Sequence, residues 1–161
     1  MEHFGLKEGV DINMGTFSKA FGVLGGFITG EKDLIDYLRV TARTYIFTGG
    51  FLGGLACGVL KALEIVKTDT ELRKRLWEMS DHFRNSLENM GFDTLNSQTP
   101  IIPIMIGQEA KAIAFANNLF DKGIFAPCCR WPAVPKGKSR IRFTLMATHL
   151  EDQINFALEV I

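Results

Sequence analysis

In MGTFSKAFGVLGG (14–26), Thr16, Ser18 and Lys19 stand close together, and glycines follow at 22, 25 and 26. A lysine amine can condense with a carbonyl, and neighbouring hydroxyls can donate to a phosphate. Glycines let the backbone approach a flat ligand closely. VDINMGT (10–16) reads as a short buried strand ending in a polar turn, and α/β sheets bind ligands at the carboxyl ends of their strands. Composition alone favours a plainer reading: a surface lysine in a glycine-rich loop.

The other candidates are fewer. SRIRFTL (139–145) alternates, with Ile141, Phe143 and Leu145 on one face and Arg140, Arg142 and Thr144 on the other, which predicts a half-buried strand. On these residues alone Arg142 is a solvated strand arginine, and Arg140, on the same face, is a surface charge. His149, after that strand, reads as a capping or structural histidine and not as a base. His3 has no assigned role.

Three cysteines (Cys57, Cys128, Cys129) form no CxxC pair, and the three histidines (His3, His82, His149) lie far apart. Neither a disulfide framework nor a metal site is expected, and a reducing compartment fits. Cys128 and Cys129 read as reducible surface or packing thiols, and not as nucleophiles. No GxxxxGK[ST] or GxGxxG occurs, which leaves neither a P-loop nor a dinucleotide fingerprint. Eighteen basic and 18 acidic residues balance to zero, so electrostatics call for neither nucleic acid nor an anionic membrane. With 47% hydrophobic residues the chain can bury a core, which excludes disorder. The opening MEHFGLKEG has no apolar core and is not read as a signal peptide. The longest apolar stretch, 49–60, is too short and too glycine-rich to span a membrane. A cytoplasmic protein is the expectation.

Several elements must position these residues. GGFITG (25–30) reads as a second strand, and 31–43 as a helix with acids in its first turn and arginines in its last. YIFTGG (45–50) reads as strand, then loop. A long helical region covers 51–90, with KTDTE (67–71) a break where Thr68 or Asp69 can cap a new helix, and Gly91 a stop. PIIPIMIG (100–107) is a strand whose prolines suit an edge or a start. Helices follow at 109–122, closed by Gly123, and at 150–161. The first 50 residues offer too few strands for a sheet with helices on both faces.

In order, GTFSKAFG, GGFITG, KDLIDYLR, YIFT, PIIPIMIG, DKGIF and PAVPKGKSRIRFTLMATH resemble the pyridoxal-phosphate-dependent α-oxoamine synthases. That family includes 8-amino-7-oxononanoate synthase, 2-amino-3-ketobutyrate coenzyme A ligase, 5-aminolevulinate synthase and serine palmitoyltransferase. The resemblance spans essentially the whole chain, and FSK with PAVPKG…MATH leans towards the serine-palmitoyltransferase-like branch. It implies an α/β fold class: the end of a fold-type-I large domain with the start of a linking helix (1–66), then the rest of that helix and a small α+β domain (67–161).

The resemblance also implies residue roles. Lys19 matches the lysine that holds pyridoxal 5'-phosphate as a Schiff base and moves the substrate α-proton. Thr16 matches a hydroxyl that binds the cofactor phosphate, and Thr48 one lent to it by the other subunit of a homodimer. Arg142 matches the arginine that holds the substrate carboxylate. The implied reaction condenses an amino acid with an acyl-coenzyme A thioester, with decarboxylation. Gly49-Gly50 and Gly53-Gly54 depart from the Ser/Thr- and Pro-containing loop of the family. Only the later part of the family's length is matched, without the aspartate that pairs with the cofactor ring nitrogen. The chain alone is therefore expected to be a poor catalyst or none, and either to self-associate through unpaired strand edges or to fold only from about residue 95 onward with a disordered start. Two alternatives are an aminotransferase of the same fold and a truncated, non-catalytic dimerisation or binding module.

Overall fold

The computed structural model of the chain describes residues 4–6 and 8–161; His3 lies outside the described residues. The fold divides into two compact units, Met1–Thr68 and Asp69–Ile161.

In the first unit, β1 (Ile12–Thr16) and β2 (Gly26–Gly30) form a two-stranded antiparallel sheet in which Ile12 faces Gly30 and Thr16 faces Gly26. The strand expected as buried over 10–16 is not: Val10 lies outside it, and every residue of β1 is half-buried or exposed. A two-stranded ribbon has two free edges and little to cover its faces. Next come α1 (Lys32–Thr41), α2 (Arg43–Ile46) and α3 (Gly53–Thr68). α1 carries Asp33 in its first turn and Arg39 in its last, and Asp36 pairs with Lys32 at 2.5 Å and Arg39 at 3.2 Å. α2 corrects the reading of 45–50 as strand. Its β-branched and aromatic residues fit a strand, but their amides bond locally: Ile46 N–H to the Ala42 carbonyl, Phe47 N–H to that of Arg43. Without a partner strand, the helical turn is what satisfies those amides.

The second unit opens with α4 (Glu71–Asn89). The break before it occurs at the expected sequence: the Asp69 carboxylate accepts from the amides of Glu71 (2.9 Å) and Leu72 (3.2 Å), serving two orphan donors of the first turn. α4 ends in a Schellman motif, with Gly91 at φ +89°, Phe92 N–H bonded to the Leu87 carbonyl and Gly91 N–H to that of Glu88. β3 (Ile101–Gly107), α5 (Glu109–Asp121), β4 (Cys128–Cys129), β5 (Ser139–Thr144) and α6 (Glu151–Val160) complete it. α5 closes with the same motif at Gly123 and Ile124.

The sheet is antiparallel in the order β3-β5-β4. β4 carries Cys128 and Cys129, which pair with Ile141 and Arg140. Arg142 sends its N–H to the Pro127 carbonyl (3.0 Å), away from β3. Its partner Pro103 therefore faces the free edge, where a residue without N–H costs no ladder bond. The inner face of the sheet carries Ile102, Ile104, Ile141 and Phe143. Phe83 and Leu87 of α4, Ala112 and Leu119 of α5, and Ile154 and Leu158 of α6 cover it, all buried. Phe83 and Phe143 lie 5.2 Å apart, ring centre to ring centre. Each of the buried Ile, Leu and Phe side chains stabilises the fold by about 1.5–3 kcal/mol relative to exposure.

Candidate active site

The turn that follows β1 is built by its own backbone. Phe17 N–H bonds to the Gly25 carbonyl and Val23 N–H to the Phe17 carbonyl, both at 2.9 Å, while Gly22 N–H bonds to the Lys19 carbonyl at 3.0 Å. The loop thereby folds back on the strand and carries Lys19 on its surface, exposed and without an ion pair among the described residues. Phe17 anchors the turn; its ring lies 5.4 Å from Phe27, 5.6 Å from Phe21 and 5.8 Å from Phe51. Sequence reasoning missed this anchor; Phe17, Phe21 and Phe27, close together in the sequence, were its signal, while Phe51 joins them only through the fold. Gly25, at φ +98°, sits so near Phe51 that a Cβ would meet the ring at 2.9 Å. Close approach does determine this glycine, but the group approached is a phenylalanine.

The hydroxyls are poised differently from one another. Ser18 Oγ donates to Thr16 Oγ1 at 3.3 Å, a long and easily exchanged bond that leaves the Thr16 hydrogen free to donate. Thr48 Oγ1 donates to the Thr44 carbonyl of its own turn. A groove of about 550 Å³ runs beside the strands; of Thr16, Lys19 and Thr48, only Thr16 lines it, with Arg39, Thr44 and Tyr45. The structure thus brings Thr16, Ser18 and Lys19 together, puts Thr48 elsewhere in the same unit, and carries Arg142 in the other unit.

Arg142 points from the outer face of β5 and lines a cleft of about 610 Å³ with His149, Phe125, Met146, Ile154 and Phe156. Its guanidinium has no protein partner among the described residues. Arg140 differs: its Nε donates to the Lys138 carbonyl at 3.0 Å. His149 is held by its own turn, because its Nδ1 accepts from Met146 N–H at 3.2 Å. Arg130, not singled out from the sequence, pairs with Glu109 at 3.2 Å. Cys128 packs against the core, and burial pushes its thiol pKa above the ordinary value, with the Arg130 charge pulling the other way. Cys57, Cys128 and Cys129 are free thiols. Among the described residues no three His, Cys, Asp or Glu side chains are grouped to hold a metal ion, and no helix is long and apolar enough to cross a membrane.

The family model for aminotransferase class I and II matches residues 1–161. An 8-amino-7-oxononanoate synthase of Thermosipho melanesiensis is 44% identical over 159 residues, covering 99% of this chain and 41% of the relative. The serine palmitoyltransferase of Sphingomonas wittichii superposes with a TM-score of 0.88 at 29% identity, over 94% of this chain and 38% of that one. A high-resolution structure of SPT with PLP internal aldimine superposes equally well, at 28% identity and a TM-score of 0.88, over 94% and 38% of the two chains. The chain thus spans about two-fifths of the length of the relatives it matches.

Proposed function

Because the chain belongs to the aminotransferase class I and II family over residues 1–161, we propose that it contributes to a pyridoxal-phosphate-dependent acyltransferase. The reaction is the condensation of an amino acid with an acyl-coenzyme A thioester, in which a carbon–carbon bond replaces the thioester bond and carbon dioxide and free coenzyme A are released. One observation carries this reading: the turn after β1 holds an exposed Lys19 beside the coupled hydroxyls of Thr16 and Ser18.

That donor set fits pyridoxal phosphate. Lys19 offers a primary amine with no ion pair to break. Ser18 donates to Thr16, so the Thr16 hydroxyl can donate onward to a phosphate oxygen. Thr48 must release the Thr44 carbonyl before it can do the same, since phosphate oxygens only accept. The cofactor, when bound, supplies the electron sink that makes an amino-acid Cα acidic. Lys19 Nζ takes the proton from that carbon and returns one to it after the new carbon–carbon bond has formed and carbon dioxide has left. Arg142 holds the substrate carboxylate, its planar fork matching the two oxygens. We assign the working protein to a homodimer, to which Thr48 contributes across subunits, and to the cytoplasm; the three free thiols support a reducing compartment.

The test is chemical trapping in the intact enzyme that contains this sequence. Pyridoxal phosphate is added, borohydride follows, and the modified lysine is located by peptide mass mapping. Modification concentrated on Lys19 and lost in Lys19→Ala is expected. Equal labelling of surface lysines that persists in the variant sinks the assignment. Carbon dioxide release that requires both amino acid and acyl-coenzyme A separates this reaction from transamination, which needs no acyl donor.

A further inference from the structure

We infer that His149 is a second binding residue of the Arg142 cleft, its Nε2–H donating to the carboxylate that Arg142 holds; this rests on the reading of Arg142 given above. Three observations point there. His149 and Arg142 line one cleft. The ring is oriented by its own turn: Nδ1 accepts from Met146 N–H at 3.2 Å, which puts the ring hydrogen on Nε2, on the side away from that amide. The backbone of the same residue is pinned twice, its N–H to the Met146 carbonyl at 3.1 Å and its carbonyl to Arg75 Nη2 of α4 at 2.8 Å. The donor is therefore preorganised, whereas the Arg142 side chain is long and has no protein partner.

The cleft also states what it takes. Phe125, Met146, Ile154 and Phe156 make its walls apolar, and no acidic side chain lines it among the described residues. A cation and an N–H donor in such a setting call for an anion, and the apolar walls call for hydrocarbon behind it. The ligand class is a carboxylate carried on an apolar body. Two donors from different segments, the end of β5 and the turn before α6, fix the plane of the carboxylate as well as its charge.

Two amide variants separate a binding role from a structural one. Asparagine reproduces the Nδ1 position and can still accept from Met146 N–H, but it lacks the distal donor. Glutamine reproduces the distal donor and lacks the Nδ1 acceptor. The 161-residue chain, its fold checked by circular dichroism, is titrated with sodium hexanoate by proton–nitrogen NMR, with hexan-1-ol as the uncharged control. We expect hexanoate to bind in preference to the alcohol, His149→Asn to weaken it about tenfold, and His149→Gln to hold it within about threefold, as for loss and retention of one hydrogen bond to a charged group. The reverse pattern, with asparagine tolerated and glutamine not, overturns the inference, since His149 would then only hold its turn. Arg142→Gln keeps the two readings apart. Loss of binding there with an unchanged His149→Asn overturns the histidine alone. No loss there, or no hexanoate binding by the unmodified chain, overturns both.

Discussion

The two units solve the burial problem differently. In Asp69–Ile161, three strands present one apolar face to α4, α5 and α6, and twelve hydrophobic residues fall into a single buried cluster. In Met1–Thr68 no described residue is buried, and large apolar side chains such as Met14 (73%) and Phe47 (79%) stand exposed. Apolar content does not separate them. A core needs a face that other elements can cover, and a two-stranded ribbon with short helices offers too little enclosed volume. Lys19 and Thr16 belong to the open unit, and Arg142 and His149 to the closed one. The residues proposed for the cofactor therefore sit on a scaffold held by turn hydrogen bonds and one phenylalanine cluster, and those proposed for the carboxylate on a packed unit.

Hydrogen exchange is the most direct way to break this contrast. Amides of β3 and β5 should exchange about a thousandfold more slowly than those of β1 and β2, because core strands open only near the global unfolding free energy. Equal protection in the two sheets, read by NMR of the 161-residue chain, would show that the first unit is as well enclosed as the second. Core truncation comes next in size. Phe83→Ala should cost about 3–5 kcal/mol in the urea unfolding of the second unit. Ile28→Ala, at an exposed position of β2, should cost under about 1 kcal/mol by the same measurement.

Smaller effects sharpen the picture. In the intact enzyme, Arg142→Ala should weaken amino-acid binding by about 1.5–3 kcal/mol and leave pyridoxal phosphate affinity unchanged. Isothermal titration of each ligand checks both halves of that expectation. Gly91→Ala should destabilise the second unit by about 1 kcal/mol in a urea titration. Nothing lies within 4 Å of the added Cβ, so the cost is the φ of +89° alone. Thiol alkylation gives the mildest test. Cys57 is exposed, whereas burial raises the Cys128 pKa, so its thiolate appears only at higher pH. At mildly alkaline pH iodoacetamide should modify Cys57 before Cys128, and the gap should narrow as pH rises, read by mass spectrometry of timed samples.

Local patterns carried much of this fold into plain view. The period-two alternation of 139–145 was legible because one face of β5 meets a core and the other does not. Helix ends at Asp69, Gly91 and Gly123 were legible because capping uses residues within one turn of the terminus. Lys19, Thr16, Thr48 and Arg142 were given roles only through the resemblance to the α-oxoamine synthases, and the roles proposed for them rest on that resemblance. Other features depend on partners distant in sequence. The start of the segment 45–50 has strand-forming residues, yet Tyr45 and Ile46 turned helical where no strand stood beside them. Cys128 and Cys129 became a strand only because β5 offers them Ile141 and Arg140. The exposure of β1 was hidden for the same reason, since an apolar run says that a residue can be buried and not whether anything covers it. His149 shows the division within one side chain. Its place after β5 and its bond from the Met146 amide belong to one turn of the chain, while the Arg75 clamp and the shared cleft with Arg142 exist only once α4, β5 and α6 are packed together.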